Sequence, residues 1–131
     1  MKLPDWEKRL YEYLEEQKEM PFKWGVNDCC QFAAKGAESQ TGIRNGEEYQ
    51  CSNAAQAIDI LREEGGVIAI ADKYYKRVEP NFVQRGDIVA ANIDGKRIGL
   101  GIWVNMTGVF KGYTELLQAP RESILAAWRV E

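Results

Sequence analysis

The residues with the clearest chemical potential are a cysteine and the aspartate before it, Asp28-Cys29. Turn-forming residues, including Pro21 and Gly25, lead directly into a helical pattern at this point. Asn27 or Asp28 can cap that helix, which would place Cys29 in its first turn. The positive end of a helix macrodipole lowers a thiol pKa, so this position is typical of a nucleophilic cysteine.

A cysteine nucleophile of this kind normally gives its proton to a histidine. The chain has 131 residues and contains no histidine. Asp28 or Asp87 could act as the base in principle, but a carboxylate beside a thiolate raises the thiol pKa by like-charge repulsion. Cys29 is therefore interpreted either as a nucleophile or as a small buried side chain retained for packing. A nucleophile and its base act as a unit, so the absence of a histidine base favours the interpretation that Cys29 is a buried side chain retained for packing.

Each of three residues, Trp24, Asp28 and Asp87, has both a structural and a functional interpretation. Trp24 is either a wedge that fixes the start of the second helix or a wall of a substrate cleft, and the wedge is favoured. Asp28 is favoured as a helix N-cap over a catalytic acid. Asp87 follows Gly86 and is favoured as a turn residue that accepts hydrogen bonds from main-chain amides.

Composition excludes several classes of protein. The net charge of -3 gives no sign of a nucleic-acid-binding surface. No apolar run approaches the length of a membrane span, and no secretory signal is recognisable. The cysteines, Cys29, Cys30 and Cys51, are odd in number, so we expect reduced thiols in a cytoplasm, with Cys30 in the core and Cys51 unexplained. Neither a metal site nor a cofactor is expected.

The spacing of apolar residues divides the chain into a helical half and a strand half. It predicts helices over residues 5–18, 28–38 and 53–64, the last ended by Gly65-Gly66. Short strands are expected afterwards, with an Asp94-Gly95 hairpin dipeptide between two of them. The expected segments are 67–70 (a strand or turn), 74–78, 88–91, 97–104, 109–111, 115–118 and 126–130. This order predicts one α+β domain, 1–131, with three N-terminal helices packed on a C-terminal antiparallel sheet.

Three motifs in this order resemble the NlpC/P60 family of papain-like cysteine peptidases. They are Asp-Cys-Cys-Gln-Phe at 28–32, Arg-Gly-Asp-Ile-Val at 85–89 and Gly-Leu-Gly-Ile-Trp at 99–103. In that family a cysteine opens a helix, a Gly-Asp strand follows, and the next strand begins with the catalytic histidine. Carried over by position, Cys29 is the nucleophile position and Gly99 is the position of the missing histidine. Trp24, Asp28 and Asp87 would line the cleft.

The whole chain also resembles small phage-encoded relatives of that family, through Trp6 and segments 21–29, 86–87, 100–102 and 127–130. This resemblance implies a papain-like fold in its NlpC/P60 form. It also implies a phage or prophage tail-module protein with a structural or assembly role and no hydrolase activity. The implied partners are other phage tail proteins, with a peptide segment or nothing in the residual cleft, and neither nucleic acid nor membrane. The implied location is the bacterial host cytoplasm or the virion tail.

Two alternatives stay open. One is an active cysteine peptidase or amidase that acts on peptidoglycan, with Cys29 as nucleophile and an unidentified base. The other is a bacterial thiol protein without a phage link.

Overall fold

The computed structural model describes residues 1–93, 95 and 97–131. Within these residues, four α-helices precede or flank a six-stranded sheet. The helices are α1 (Trp6–Gln17), α2 (Cys29–Thr41), α3 (Ala54–Glu64) and α4 (Val67–Tyr74). The strands are β1 (Lys76–Val78), β2 (Ile88–Asn92), β3 (Ile98–Trp103), β4 (Gly108–Lys111), β5 (Leu116–Ala119) and β6 (Ile124–Arg129). The predicted α+β class is confirmed, whereas the prediction of three helices is wrong.

The additional helix is α4, where the sequence pattern indicated a strand or turn. The chain turns sharply at Gly65 and Gly66, which both have positive φ angles, and then starts a new helix. Val67, Ile70 and Ala71 form the buried side of α4 at helical spacing. A short apolar run rich in β-branched residues does not distinguish a buried helix from a buried strand. The strand expected over 74–78 is therefore reduced to β1.

All neighbouring strands in the sheet are antiparallel, in the order β1-β6-β2-β3-β4-β5. The central strands β2 and β3 are consecutive in the chain, and their register places Ala91 opposite Gly99. The predicted Asp94-Gly95 hairpin dipeptide falls between them, but Asp94 lies outside the described residues. The antiparallel sheet predicted for the second half of the chain is confirmed.

Helix α2 packs on the sheet through a face of small residues around Phe32, which is fully buried. Gly36 permits the close approach, because a Cβ atom there would lie 2.8 Å from Cδ1 of Ile102 in β3. The N-terminus of α2 lies beside β3, as expected from the sequence, because a Cβ atom on Gly99 would be 3.6 Å from the sulfur of Cys29. None of the helices among the described residues is both long and apolar enough to cross a membrane.

Candidate functional site

The site is built around the first residue of α2, Cys29, whose side chain is 8% exposed. Asp28 caps this helix, as predicted: its Oδ1 atom accepts a hydrogen bond from the amide of Gln31 at 2.9 Å. Its other oxygen, Oδ2, accepts from the amide of Gly25 at 2.8 Å. Both carboxylate oxygens are thus engaged in holding the turn and the helix start.

A second loop closes on this turn at Gly25. The residue has a φ angle of 75°, and a Cβ atom there would lie only 2.0 Å from the main-chain oxygen of Cys51. A positive φ angle favours glycine, and the contact explains why no larger residue fits. The Cys51 thiol donates to Oδ2 of Asp28 at 3.9 Å. All three cysteines of the chain are free thiols near the start of α2.

Gly99, the position predicted to correspond to a catalytic histidine, lies beside Cys29. A Cβ atom on residue 99 would be 3.6 Å from the sulfur of Cys29. The same Cβ atom would be 2.8 Å from Cδ1 of Ile93, which therefore occupies part of the space that a side chain would need. The register of β3 thus brings position 99 to the thiol, but glycine has no group that could accept a proton.

The thiols of Cys29 and Cys30 have different electrostatic surroundings. The hydrogen bond from Cys30 and the one from the main-chain amide of Leu100 hold the pKa of Cys29 below its usual value, although burial raises it. The shared hydrogen bond and burial raise the pKa of Cys30 well above its usual value. Burial, with the nearby carboxylate of Asp28, raises the pKa of Cys51. Cys29 is therefore the thiol that ionises most readily among the three.

Cys29 opens onto a cavity of about 280 Å³, the Cys29 cavity, which is lined by residues of α2, α3, α4, β3 and the loop before α3. Its fully buried lining includes Ala33, Ala71 and Leu100. Interiors rarely contain such space, so the cavity is a candidate ligand site.

The rim of the Cys29 cavity is aromatic and partly exposed. Trp24 lines it, and its ring meets that of Phe22 edge-on at 4.8 Å between centroids. Tyr113, which is 57% exposed, packs against Phe22 at 4.7 Å. The guanidinium of Arg97 lies 4.6 Å from the centre of the Tyr113 ring. Trp24 thus both contacts the turn and forms a wall of the cavity.

Asp87 is placed apart from the other predicted site residues. It is completely buried, and it does not line the Cys29 cavity. Its carboxylate accepts hydrogen bonds from the amide of Gln84 at 2.9 Å and the amide of Val130 at 3.2 Å. It also pairs with Nε of Arg129 at 3.1 Å. These contacts join the turn before β2 to the end of β6, which is a structural arrangement.

The sequence patterns did not identify the part of the cavity lining that comes from α3, α4, the loop before α3 and the loop carrying Tyr113. One signal was available: the apolar stripe predicted for α3, including Ala57 and Leu61, has no fully buried member in the structure. Both residues face the cavity. Across the part of the chain that the structure describes, no group of three or more His, Cys, Asp or Glu side chains could hold a metal ion.

Comparison with known families gives one match. Residues 1–130 match the family model described as "Domain of unknown function (DUF6950)". The search of curated proteins found no match to the chain. The family model spans almost the whole chain, including α2, the sheet and the Cys29 cavity.

Proposed function

Because this chain belongs to the DUF6950 family, a domain of unknown function, we propose its function from the site itself. The chain is a degenerate NlpC/P60-like module of a phage or prophage tail that contributes to structure or assembly and does not hydrolyse peptides. One observation carries the proposal: the residue beside the Cys29 sulfur is Gly99, in a chain without histidine.

Amide hydrolysis needs more than a thiolate. The leaving amine must be protonated and the attacking water must lose a proton, and an imidazole normally performs both steps. Asp28 does not replace it, because amides of the turn and of α2 already occupy its two oxygens. Asp87 does not replace it either, because its carboxylate is paired with Arg129 away from the cavity.

The assignment to a phage tail is supported by the order of motifs along the chain. The proposed partners are other tail proteins, and the rim with Trp24 and Tyr113 would contact a peptide segment of such a partner. Aromatic side chains at a partly exposed rim are typical anchors of protein interfaces. The proposed location is the cytoplasm of the bacterial host, followed by incorporation into the tail.

A second candidate, an active cysteine peptidase or amidase acting on peptidoglycan, is favoured by the lowered pKa of Cys29 at a helix N-terminus. Its base would have to come from another molecule. Assembled particles would then cleave peptidoglycan, and Cys29→Ala would abolish the cleavage.

Two experiments test the proposal. Purified wild-type protein and Cys29→Ala are incubated with peptidoglycan stem peptides, and we expect equal, background release of products. Cysteine-dependent cleavage by the wild type would show that the site is catalytic. Separately, deletion of the gene from the genome that carries it should reduce the number of tailed particles in electron micrographs, and the restored gene should recover them. Unchanged particles would contradict the tail role.

A further inference from the structure

Polar side chains line the Cys29 cavity together with aliphatic ones, and several of them already have partners. Both carboxylate oxygens of Asp28 accept hydrogen bonds from main-chain amides. The Tyr49 hydroxyl accepts a hydrogen bond from Nζ of Lys73 at 2.5 Å. The guanidinium of Arg97 lies over the Tyr113 ring. Among the described residues, Asp28 and Arg97 are the charged members of the lining, and both make contacts within the protein.

The Tyr75 hydroxyl, which also belongs to the lining, differs from these groups. It is shielded from solvent, yet no atom of the described residues completes a hydrogen bond with it. Burial raises the pKa of Tyr75, and the nearby side chain of Asn45 lowers that pKa only in part, so the hydroxyl keeps its proton near neutral pH. Buried polar groups normally have a hydrogen-bond partner. An unpaired hydroxyl in the wall of a cavity therefore indicates where the polar group of a ligand would bind.

The remaining lining determines the size and polarity of that ligand. Helices α3 and α4 contribute aliphatic side chains, including Ile60, Leu61, Val67 and Ile70. A charged group among these side chains would lose its hydration without compensation. A cavity of about 150 Å³ can hold benzene, so the volume of about 280 Å³ is sufficient for a hydrocarbon body of roughly ten carbon atoms.

We propose that the Cys29 cavity binds a small neutral molecule with a compact hydrocarbon body and one hydroxyl or carbonyl group, and that this group forms a hydrogen bond with the Tyr75 hydroxyl. This inference goes beyond the proposed tail role and does not depend on it. It rests on the volume of the cavity, its aliphatic walls and the unpaired hydroxyl among them.

The experiment uses the full chain with two probes, p-cymene and thymol, which share one hydrocarbon body and differ by a single hydroxyl group. Isothermal titration calorimetry measures both affinities, with the protein titrated into each probe because p-cymene is sparingly soluble. Both probes should bind the wild type. Tyr75→Phe should weaken thymol binding about three- to tenfold, the usual effect of one lost hydrogen bond. The same variant should bind p-cymene at least as tightly as the wild type does, because p-cymene has no group to pair with the hydroxyl.

Two further comparisons locate the probes. Tyr11 is exposed on α1 and does not line the cavity, so Tyr11→Phe should change neither affinity by more than about twofold. Ala57 lines the cavity, whereas Ala55 is exposed on the same helix and does not line it. Ala57→Phe should weaken both probes about tenfold or more, because the added ring occupies their space. Ala55→Phe should alter both affinities by no more than about twofold.

Four results would overturn the proposal. Failure of both probes to bind the wild type up to their solubility limits would show that the cavity is not a site for such molecules. An unchanged thymol affinity in Tyr75→Phe would show that the hydroxyl does not pair with the ligand. Equal weakening of thymol and p-cymene by that variant would assign its effect to the shape of the cavity. Equal effects of Ala57→Phe and Ala55→Phe would place the probes outside the cavity.

Discussion

Asp87→Asn should destabilise the fold without altering the site. The native carboxylate is completely buried and accepts hydrogen bonds from Gln84, Val130 and Arg129. In the variant, one carboxylate oxygen becomes an NH₂ group, which cannot accept from any of these donors. The Arg129 side chain, 23% exposed, then loses its anionic partner.

The magnitude follows from that burial. Removing one partner of a buried ion pair costs about 3–5 kcal/mol, and the partial exposure of Arg129 moves the expectation to the lower end. We therefore expect the free energy of unfolding to fall by about 3 kcal/mol. At a typical urea dependence of about 1–3 kcal/mol per molar, the unfolding midpoint should fall by roughly 1–3 M.

Urea unfolding followed by circular dichroism measures this loss. Asp59→Asn is the matched control, because that aspartate is 68% exposed and its nearest cation, Arg62, is 3.8 Å away at the surface. The control should change the free energy of unfolding by no more than about 0.5 kcal/mol. Below the unfolding transition, the alkylation rate of Cys29 should be the same in both variants. Equal stability of Asp87→Asn and the control would refute the structural role of Asp87.

Three further predictions concern other parts of the fold and the thiol pair. Lys111→Met removes a buried ammonium that donates to the main-chain carbonyls of Gln17, the last residue of α1, and of Met20, so the free energy of unfolding should fall by about 1–3 kcal/mol. Burial lowers the Lys111 pKa below 10.5, so the unfolded chain binds more protons as the pH approaches 10.5 from below. Urea unfolding should therefore show the wild-type advantage growing as the pH rises toward 10.5, and a shrinking advantage would contradict this. Cys30→Ala removes a hydrogen bond to Cys29 and should move the alkylation profile of Cys29 to higher pH; an unmoved profile would assign the low pKa to other groups. Gly101→Ala would place a Cβ atom 2.3 Å from the main-chain oxygen of Val109 and should lower the free energy of unfolding by about 1–3 kcal/mol. An unchanged free energy of unfolding would show that β3 and β4 can separate.

The parts of the fold that depend on local sequence were predictable. The N-cap of α2 at Asp28 and the end of α3 at Gly65 are set by neighbours within a few residues. The helix α4 was not predictable in the same way. Its apolar residues fit a buried strand equally well, and the packing against the sheet decides between the two. The turn between α3 and α4 depends on Gly66, but the residues around Gly66 do not determine whether a helix or a strand follows.

The site residues that belong to a sequence motif could be predicted, whereas the cavity, which is formed by the packing of several elements, could not. The proximity of Gly99 to Cys29 depends on the pairing of β3 and on the position of α2, and it was inferred through the resemblance. The placement of Asp87 away from the cavity depends on its pairing with Arg129, which is 42 residues distant in the chain. No periodic pattern reveals a cavity, because the residues that line it are apolar in the same way as residues that fill a core.

The absence of an imidazole changes which reactions of the Cys29 thiol are accessible more than it changes its nucleophilicity. The hydrogen bonds to the sulfur and the start of α2 favour the thiolate without any base. What the site lacks is a group that protonates a poor leaving group or activates water. Amide hydrolysis requires such a group.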